Sequence, residues 1–544
     1  MSDTPTKDTP GTTAEGRELS RRELLVKAGV AGAGAVAAGS VAGKATAAPK
    51  RVAPRPKKGG KLTFALEQDP VHIAPFGGIL TANHWGKEPM YESLIEWDSK
   101  LNQRPALAES WKVVNSRTVD FTLRRNVRFH NGKEVTAADA KYSFDLQANP
   151  PLPGSVATLG QFPAITSTQV RSKYVLRVNL SKPDARLFGY LAWTRYSAIV
   201  PEGMYTTINA GREGIGTGPF RLQSFVPGQG AEYTAYAEYR KPNLPYLAAL
   251  SLRTLPDEQA RIAALRAGAI DGATLSADGA RTFQGDRNFV VLRGLTAAFR
   301  ELQITQKAGE TKPWHDKRVR QAVNFAINRQ EILNRVYNGF GEYSGHVPPG
   351  YGPWPLTRAE LRNNYLKFDL AKARTLMRQA GFANGFDVTM STFSTPLDFG
   401  QVAAVIKAQL DRIGINLTIK AEEPGTFAAN NGAGRFEWDL TARGMRGDVD
   451  GYMAEFNPAN NSYKAWYPTF RNVRMWRLVG NGFIQLDQSK RLPMYKELQK
   501  ILLDEQLQVP LVAVTKFQVF RRRVKNMYVA FSDFNTGLKT AWVE

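Results

Sequence analysis

Cysteine is absent from the 544 residues of the sequence. Disulfides, thiolate metal sites and a thiol nucleophile are therefore excluded. Without a cysteine there is also no residue for lipid attachment of the usual bacterial kind. We expect a protein that is not a lipoprotein.

Catalytic signatures are scarce as well. The sequence holds five histidines, widely spaced, and no H-E-x-x-H, G-x-S-x-G or P-loop pattern. Those patterns mark zinc sites, nucleophilic serines and phosphate-binding loops. We therefore expect a protein that is not an enzyme, with no catalytic residues, no metal site and no cofactor.

Long apolar runs are missing, and the one weakly apolar stretch lies near the start. Ser20–Lys27 has a twin-arginine pattern, 28–43 is an Ala/Gly/Val stretch, and Ala45–Ala47 resembles a cleavage site. The stretch is shorter than the roughly 20 residues that span a bilayer. Residues 1–48 are therefore predicted to be a signal peptide read by the twin-arginine export machinery. The predicted location is the periplasm or the extracellular side of the cytoplasmic membrane.

Acidic residues are few relative to basic ones, and the formal net charge is +23. Residues 1–48 carry six basic and five acidic side chains, so +22 remains without them. Part of this positive charge lies in residues 49–60, which are predicted to be a basic, Pro-rich linker. Such charge favours contact with polyanions. A basic polyanion-binding envelope protein is thus an alternative of a different class, although no nucleic-acid-binding motif is present and no nucleic acid partner is expected.

Strand and helix patterns alternate along the remaining chain. Lys61–Leu66 alternates as a strand, and 386–390 and 415–419 alternate on either side of a helical pattern over 402–413. A strand, a helix and a strand in that order predict a parallel pair. Asp316 is predicted to cap one helix from Lys317 to about Tyr337. A chain of this length needs two or three lobes, so an α/β fold of several lobes is expected.

Seven short motifs occur in a fixed order over most of the chain. They are Tyr91–Trp97, Pro105–Trp111, Phe121–Asp139, Gly216–Phe220, Ala264–Asp271, Asp316–Arg329 and Asp369–Phe382. In order and spacing they resemble the dipeptide/oligopeptide-binding proteins of ABC importers, which are extracellular solute-binding proteins of family 5. The resemblance covers roughly residues 60–540.

The resemblance implies a two-lobed, hinged periplasmic-binding-protein fold of type II, with an extra inserted subdomain. Lobe I is expected to comprise 61–300, with the inserted subdomain at about 93–215. Lobe II is expected over 301–514, and 515–544 returns to lobe I. The chain crosses between lobes twice, which makes a hinge with the ligand between the lobes.

The implied function is that of an exported substrate-binding protein, which captures a small solute and delivers it to an ABC permease complex in the membrane. A short peptide is the leading solute. An oligosaccharide or an opine-like conjugate on the same fold is the alternative. The protein is expected to act as a monomer.

One loop carries the expected ligand anchor. In peptide-binding relatives an aspartate in a Gly-Asp-x-x-Asp-Pro-like loop receives the ligand's amino terminus. Here Gly444–Gly451 resembles that loop, with Asp448 at the matching position and Asp450 beside it. The loop is one residue shorter, and Gly451 replaces the usual proline. Arg446 could instead pair with Asp448 or hold a ligand carboxylate or phosphate.

Aromatic side chains supply further candidates, because aromatic faces stack on sugars and planar groups in ligand pockets. Gln303 lies in the first crossing segment, where relatives often carry Asn. The aromatic candidates for the cleft are Trp85, Trp193, Trp438, Tyr463 and Trp466.

Overall fold

The computed structural model describes residues 55–70, 72–76, 81–99, 101–148, 164–209, 213–394, 396, 398–532 and 537–544. The predicted signal peptide and most of the predicted linker lie outside these residues. Pro56–Glu544 forms one compact unit. Within the described ranges, no helix combines the length and the apolar character needed to cross a bilayer.

Strands of the described chain fall into one large sheet and three small ones. In chain order they are β1 (Lys61–Leu66), β2 (Ile95–Trp97), β3 (Gln103–Pro105), β4 (Ala108–Asn115), β5 (Thr118–Leu123), β6 (Ile165–Ser172), β7 (Val175–Leu180), β8 (Phe220–Val226), β9 (Gly230–Ala235), β10 (Ala249–Thr254), β11 (Gly272–Leu275), β12 (Phe289–Ile304), β13 (Glu342–Tyr343), β14 (Phe386–Phe393), β15 (Ile415–Glu422), β16 (Trp438–Arg443), β17 (Gln508–Arg521), β18 (Val524–Lys525) and β19 (Trp542–Val543).

Helices connect these strands and are more frequent after β12. They are α1 (Thr81–Lys87), α2 (Ala137–Ala148), α3 (Leu187–Leu191), α4 (Thr194–Ser197), α5 (Tyr205–Asn209), α6 (Glu258–Ala267), α7 (Ala277–Arg281), α8 (Lys317–Ala326), α9 (Arg329–Val336), α10 (Arg358–Glu360), α11 (Leu370–Gln379), α12 (Asp398–Leu410), α13 (Pro424–Gly432), α14 (Asp450–Met453), α15 (Asn461–Trp466), α16 (Val473–Ile484) and α17 (Gln488–Glu505).

The large sheet has the strand order β15-β14-β16-β12-β17-β11-β1-β10-β9-β8, with β13 paired to β17. The end of β12 pairs with β16, from Phe299 with Arg443 to Ile304 with Trp438. The end of β17 pairs with β11, around Phe520 and Gly272. β12 and β17 therefore join a half-sheet of β1 and β8–β11 to a half-sheet of β14–β16.

The two connecting strands are antiparallel and irregular near their middle. Their pairing shifts register between Leu295 and Phe299 and again between Phe299 and Glu301. Such irregularities bend a strand pair and increase its twist. The irregular stretch lies between the two half-sheets, where a hinge of a two-lobed protein belongs.

The parallel pair predicted in the second half is confirmed. β14 and β15 are parallel, with Phe386 opposite Ile415, and α12 lies between them in the chain. Gly414 ends the helical stretch in the left-handed region, with φ +82°. Because glycine has no Cβ, Gly414 adopts this conformation without steric strain.

The prediction of one helix from Lys317 to about Tyr337 is wrong. α8 ends at Ala326 because Ile327 is extended, and Asn328 then caps α9 by accepting a hydrogen bond from the Glu331 amide at 3.2 Å. The Asn328 amide in turn donates to Oε1 of Gln409 on α12 at 3.0 Å. A strong N-cap residue and a tertiary hydrogen bond thus override a continuous apolar face.

Buried apolar residues of the described chain form separate clusters. One buried cluster contains the inner faces of β1, β5, β7 and β10 and extends to Met445, Val449 and Tyr452, which follow β16. A second cluster surrounds β14–β16 with α8 and α12. Residues before β12 therefore pack directly against the loop after β16.

Candidate ligand-binding site

A cavity of about 450 Å³ lies between chain segments that precede β12 and segments that follow it. Its size falls within the range of small-molecule sites, about 300–1,000 Å³. From the earlier segments it is lined by Trp97, Leu101, Asn102, Gln103, Trp111, Ala185 and Phe188. From the later segments it is lined by Tyr351, Gly352, Pro353, Trp354, Gly447, Asp448, Leu486, Gln488 and Arg491.

Five of the lining side chains are aromatic. Trp111 and Phe188 contact each other at a ring separation of 6.0 Å. Trp97, also from the earlier segments, ends β2. From the later segments, Tyr351 and Trp354 belong to one loop. Aromatic walls of this kind bury apolar or planar ligand groups.

The charged part of the cavity wall is an ion pair between Asp448 and Arg491. Arg491 Nη1 donates to Oδ2 at 2.8 Å and Nη2 to Oδ1 at 2.5 Å, a two-point contact. Oδ1 also accepts from the Asp450 amide at 2.8 Å. The two side chains are only 14% and 5% exposed. Such a contact fixes the carboxylate in one orientation.

Arg491 owes its position to α17. Asp487 caps this helix by accepting a hydrogen bond from the Ser489 amide, and Arg491 lies in the first turn. Its Nε donates to the carbonyl of Gly482 on α16 at 2.8 Å. Hydrogen bonds from Nε to Gly482 and from both Nη atoms to Asp448 therefore fix the guanidinium without a ligand.

Asp450 lies beneath this pair, fully buried at the start of α14. Tyr495 donates its hydroxyl hydrogen to Oδ1 at 2.6 Å. Within the described chain Oδ2 has no hydrogen-bond partner. Burial, followed by the neighbouring charge of Asp448, raises the pKa of Asp450 to about 6. It supports the site without lining the cavity.

Arg446 does not pair with Asp448, because Arg491 occupies that carboxylate. Instead, the Arg446 carbonyl accepts a hydrogen bond from the Tyr351 hydroxyl at 2.8 Å. This bond ties two cavity loops together. The Arg446 side chain is half-buried beside Gly451.

The other predicted site residues do not line this cavity. Trp85 stacks on Phe64 at 4.7 Å, and Trp438 is fully buried among aromatic rings of the second half-sheet. Trp466 donates its indole hydrogen to the Asn431 carbonyl, and Gln303 accepts from the Asn431 amide. Their role in ligand binding stays a prediction.

The sequence interpretation missed four of the most prominent lining residues. Trp97 and Trp111 each end one of the seven motifs. The motifs mark these residues, but they do not show which side chains face a cavity. Trp354 lies in a Gly/Pro-rich loop, 350–355. Arg491 lies in a helix whose sequence has no feature that separates it from a surface arginine.

The two sides of the cleft are in direct backbone contact beside the cavity. The Ala185 amide donates to the Phe483 carbonyl at 3.1 Å. A Cβ built on Gly189 would lie 1.9 Å from the carbonyl oxygen of Gly447. α3 and the loop after β16 can approach this closely only because Gly189 has no side chain. The structure therefore represents a closed cleft.

Comparison with known proteins gives the family. Residues 102–471 match the model of the bacterial extracellular solute-binding proteins, family 5, middle. The glutathione-binding protein GsiB of Salmonella choleraesuis (strain SC-B67) is 26% identical over 465 residues, which cover 81% of this chain and 86% of GsiB.

Solved structures agree on the fold. DppA from Helicobacter pylori, an ABC transporter-associated periplasmic binding protein in complex with the peptide STSA, has a TM-score of 0.75 at 23% identity, covering 90% of this chain and 99% of DppA. AgaA from A. tumefacien R10, in complex with agropinic acid, also has a TM-score of 0.75 at 23% identity, covering 89% and 99%. The chain belongs to family 5 of the bacterial extracellular solute-binding proteins, the two-lobed binding proteins of ABC importers.

Proposed function

We propose that the protein captures a short peptide between its lobes and delivers it to an ABC permease. The observation that carries this proposal is the aromatic cavity with the Asp448–Arg491 pair in its wall. The relatives GsiB, a glutathione-binding protein, and DppA, solved in complex with the peptide STSA, support the solute class.

Asp448 would receive the amino terminus of the peptide. A carboxylate offers about four acceptor positions. Arg491 and the Asp450 amide use three, and Oδ2 carries only one of these bonds. The remaining position on Oδ2 suits an ammonium group, since a charge-assisted hydrogen bond forms between the two ions.

The five aromatic rings would hold the rest of the peptide. The ring faces accept apolar and planar side chains of the peptide, and bridging waters accommodate peptide side chains of different size. Specificity would then come from the peptide backbone and its charged ends.

Closure would use the boundaries expected from the sequence. Lobe I comprises 61–300 with the inserted subdomain at about 93–215, lobe II comprises 301–514, and 515–544 returns to lobe I. β12 and β17 then form the two hinge strands, with the register shifts of β12 between the lobes. A ligand that contacts both lobes shifts the population toward the closed state.

An opine-like or sugar conjugate is the second candidate solute. The aromatic walls favour this candidate. The ion pair with Arg491 also favours it, because the pair partly neutralises Asp448 and weakens the attraction of Asp448 for an ammonium group. AgaA, solved with agropinic acid, has the same fold.

Export would proceed through the twin-arginine pathway, with residues 1–48 removed and the mature protein acting as a monomer outside the cytoplasmic membrane. The test is replacement of Arg21 and Arg22 by Lys. The precursor should then stay in the cytoplasm, and normal export of this variant would refute the pathway.

The solute is tested by calorimetric titration of residues 49–544 with the tetrapeptide Ser-Thr-Ser-Ala and with its N-acetylated form. Acetylation should weaken binding by about 2–5 kcal/mol, because the Asp448 contact loses its charged partner. Equal binding of both forms would refute the role of Asp448. Binding of agropinic acid without binding of either peptide would favour the second candidate.

A further inference from the structure

Two dense basic clusters of the sequence meet at one end of the large sheet. The first, Lys57–Lys61, ends at the first residue of β1, and the second, Arg521–Lys525, begins at the last residue of β17. β1 runs parallel to β11, whereas β17 runs antiparallel to it, so the start of β1 lies beside the end of β17. There Nη2 of Arg523 donates to the Lys61 carbonyl at 3.3 Å, across 462 positions of the sequence.

Asp271 holds the two clusters together. Its Oδ1 accepts a hydrogen bond from Nε of Arg523 at 2.8 Å, and its Oδ2 accepts one from the Thr63 amide of β1 at 2.9 Å. Its carbonyl accepts a third from the Arg521 amide at 2.8 Å. The Asp271 side chain is only 5% exposed. The fold therefore fixes the second cluster beside the first.

The clusters hold seven basic side chains, which together form the basic end face: Lys57, Lys58, Lys61, Arg521, Arg522, Arg523 and Lys525. Three of them pair with a carboxylate, namely Lys61 with Glu232, Arg523 with Asp271 and Lys525 with Glu544. The other four form no salt bridge with the described part of the chain, and three of these four are exposed. The face therefore keeps a net positive charge that points to an anionic partner.

Short distances allow the basic end face to act as one surface. Lys58 is three residues before Lys61, which limits their Cα separation to about 11 Å. Arg522 is held by neutral groups, because its Nη2 donates to the Phe289 carbonyl at 3.2 Å. Charges this close are only partly screened from one another, since the Debye length is about 10 Å at 0.1 M salt. An anionic surface therefore meets their combined charge.

The basic end face is separate from the ligand cavity. None of its seven residues lines that cavity. A partner bound to this face therefore does not compete with the solute for the residues of the cavity wall.

We propose that the basic end face docks on anionic phospholipid headgroups at the outer surface of the cytoplasmic membrane. Binding proteins of ABC importers deliver their solute to a permease in that membrane, and this sequence holds no cysteine to which a lipid could be attached. Each Lys or Arg close to an anionic membrane strengthens binding by about fivefold. The docking goes beyond solute capture, because it keeps the protein near the permease at any solute concentration.

Vesicle sedimentation with residues 49–544 tests the proposal. The vesicles contain phosphatidylcholine alone, or phosphatidylcholine with an equal part of phosphatidylglycerol, at low and at high salt. Wild type is compared with Lys57→Gln/Lys58→Gln and with Arg521→Gln/Arg522→Gln. The lysine pair precedes β1, so its replacement removes charge from the face without changing a residue of any strand.

Arg378→Gln/Arg477→Gln is the matched control. It removes the same charge from exposed positions of α11 and α16, which belong to the second half of the chain. A response to net charge in general would appear in this variant as well.

Wild type and the control variant should sediment with phosphatidylglycerol vesicles at low salt and be released at high salt. Each variant of the basic end face should bind these vesicles at least tenfold more weakly, because it loses two basic residues. Absence of wild-type binding to phosphatidylglycerol vesicles would overturn the proposal. Equal weakening in all three double variants would also overturn it, since the two clusters would then have no special role.

Competitors distinguish the headgroup surface from other anions. Inorganic phosphate should release no more protein from the vesicles than chloride does at equal ionic strength, because several separated charges need several headgroups. Complete release by phosphate would assign the face to a free anion and overturn the docking. Binding of single-stranded DNA by wild type without binding of vesicles would overturn it in favour of a polynucleotide. The vesicle assay contains no solute, so failure of the peptide as solute leaves its result unchanged.

Discussion

Closure of the cleft depends on a glycine in α3. A Cβ on Gly189 would lie 1.9 Å from the Gly447 oxygen, whereas real Cβ atoms stay beyond 3.0 Å. Both partners are backbone, so no rotamer change relieves the clash. In Gly189→Ala the two sides must separate by about 1 Å, and the closed state of the wild type becomes inaccessible.

The expected result is weak binding by a folded protein. The solute loses contacts to one side of the cleft, so we expect Kd to rise at least tenfold, which corresponds to about 1.4 kcal/mol. The ligand-free open state should gain stability, because Ala exceeds Gly in helix propensity by up to about 1 kcal/mol. Calorimetric titration and thermal unfolding without ligand measure both effects.

Gly400→Ala is the matched control. Gly400 is an exposed residue of α12, and nothing lies within 4 Å of its added Cβ. This variant should gain the same helix propensity and keep wild-type affinity. Wild-type affinity of Gly189→Ala itself would refute the reasoning, because binding would then not require the contact between α3 and the loop after β16.

Further expectations concern the core and the buried acid. Because the folded-state pKa of Asp450 is raised to about 6, its contribution to stability is present below pH 4 and is lost as pH rises through 6. Relative to Asp450→Asn, the wild type should lose up to about 3 kcal/mol across that window in urea unfolding. Trp438→Ala should cost about 3–5 kcal/mol of unfolding free energy and leave affinity unchanged, whereas Trp354→Ala should mainly weaken binding, by calorimetry. Asp257→Ala removes the α6 cap at Ala260 N and should cost about 1 kcal/mol of stability in thermal unfolding.

Much of the fold followed from local pattern. β1 begins at Lys61 and ends at Leu66 as predicted, and β14 and β15 are parallel with α12 between them in the chain, also as predicted. Alternation and capping are short-range signals, so a sequence displays them directly. The break between α8 and α9 was missed because the hydrogen bond that holds Asn328 comes from Gln409, 81 residues away.

The site was less accessible to sequence reasoning. Asp448 was identified by its loop, but its partner Arg491 lies 43 residues later and approaches only when α17 docks on α16. Trp438 was one of several aromatic candidates for the cleft, and its ring packs against Trp314 at a centroid distance of 5.6 Å. Whether an aromatic side chain faces a cavity or a core depends on strand pairing over long distances, which composition does not encode.

A crystal structure of residues 49–544 grown with Ser-Thr-Ser-Ala tests the account most directly. The account predicts a peptide in the aromatic cavity, with its ammonium within hydrogen-bond distance of Asp448 Oδ2 and the cleft closed over it. An empty cavity with the peptide bound elsewhere, or a peptide oriented with its amino end away from Asp448, would contradict the account.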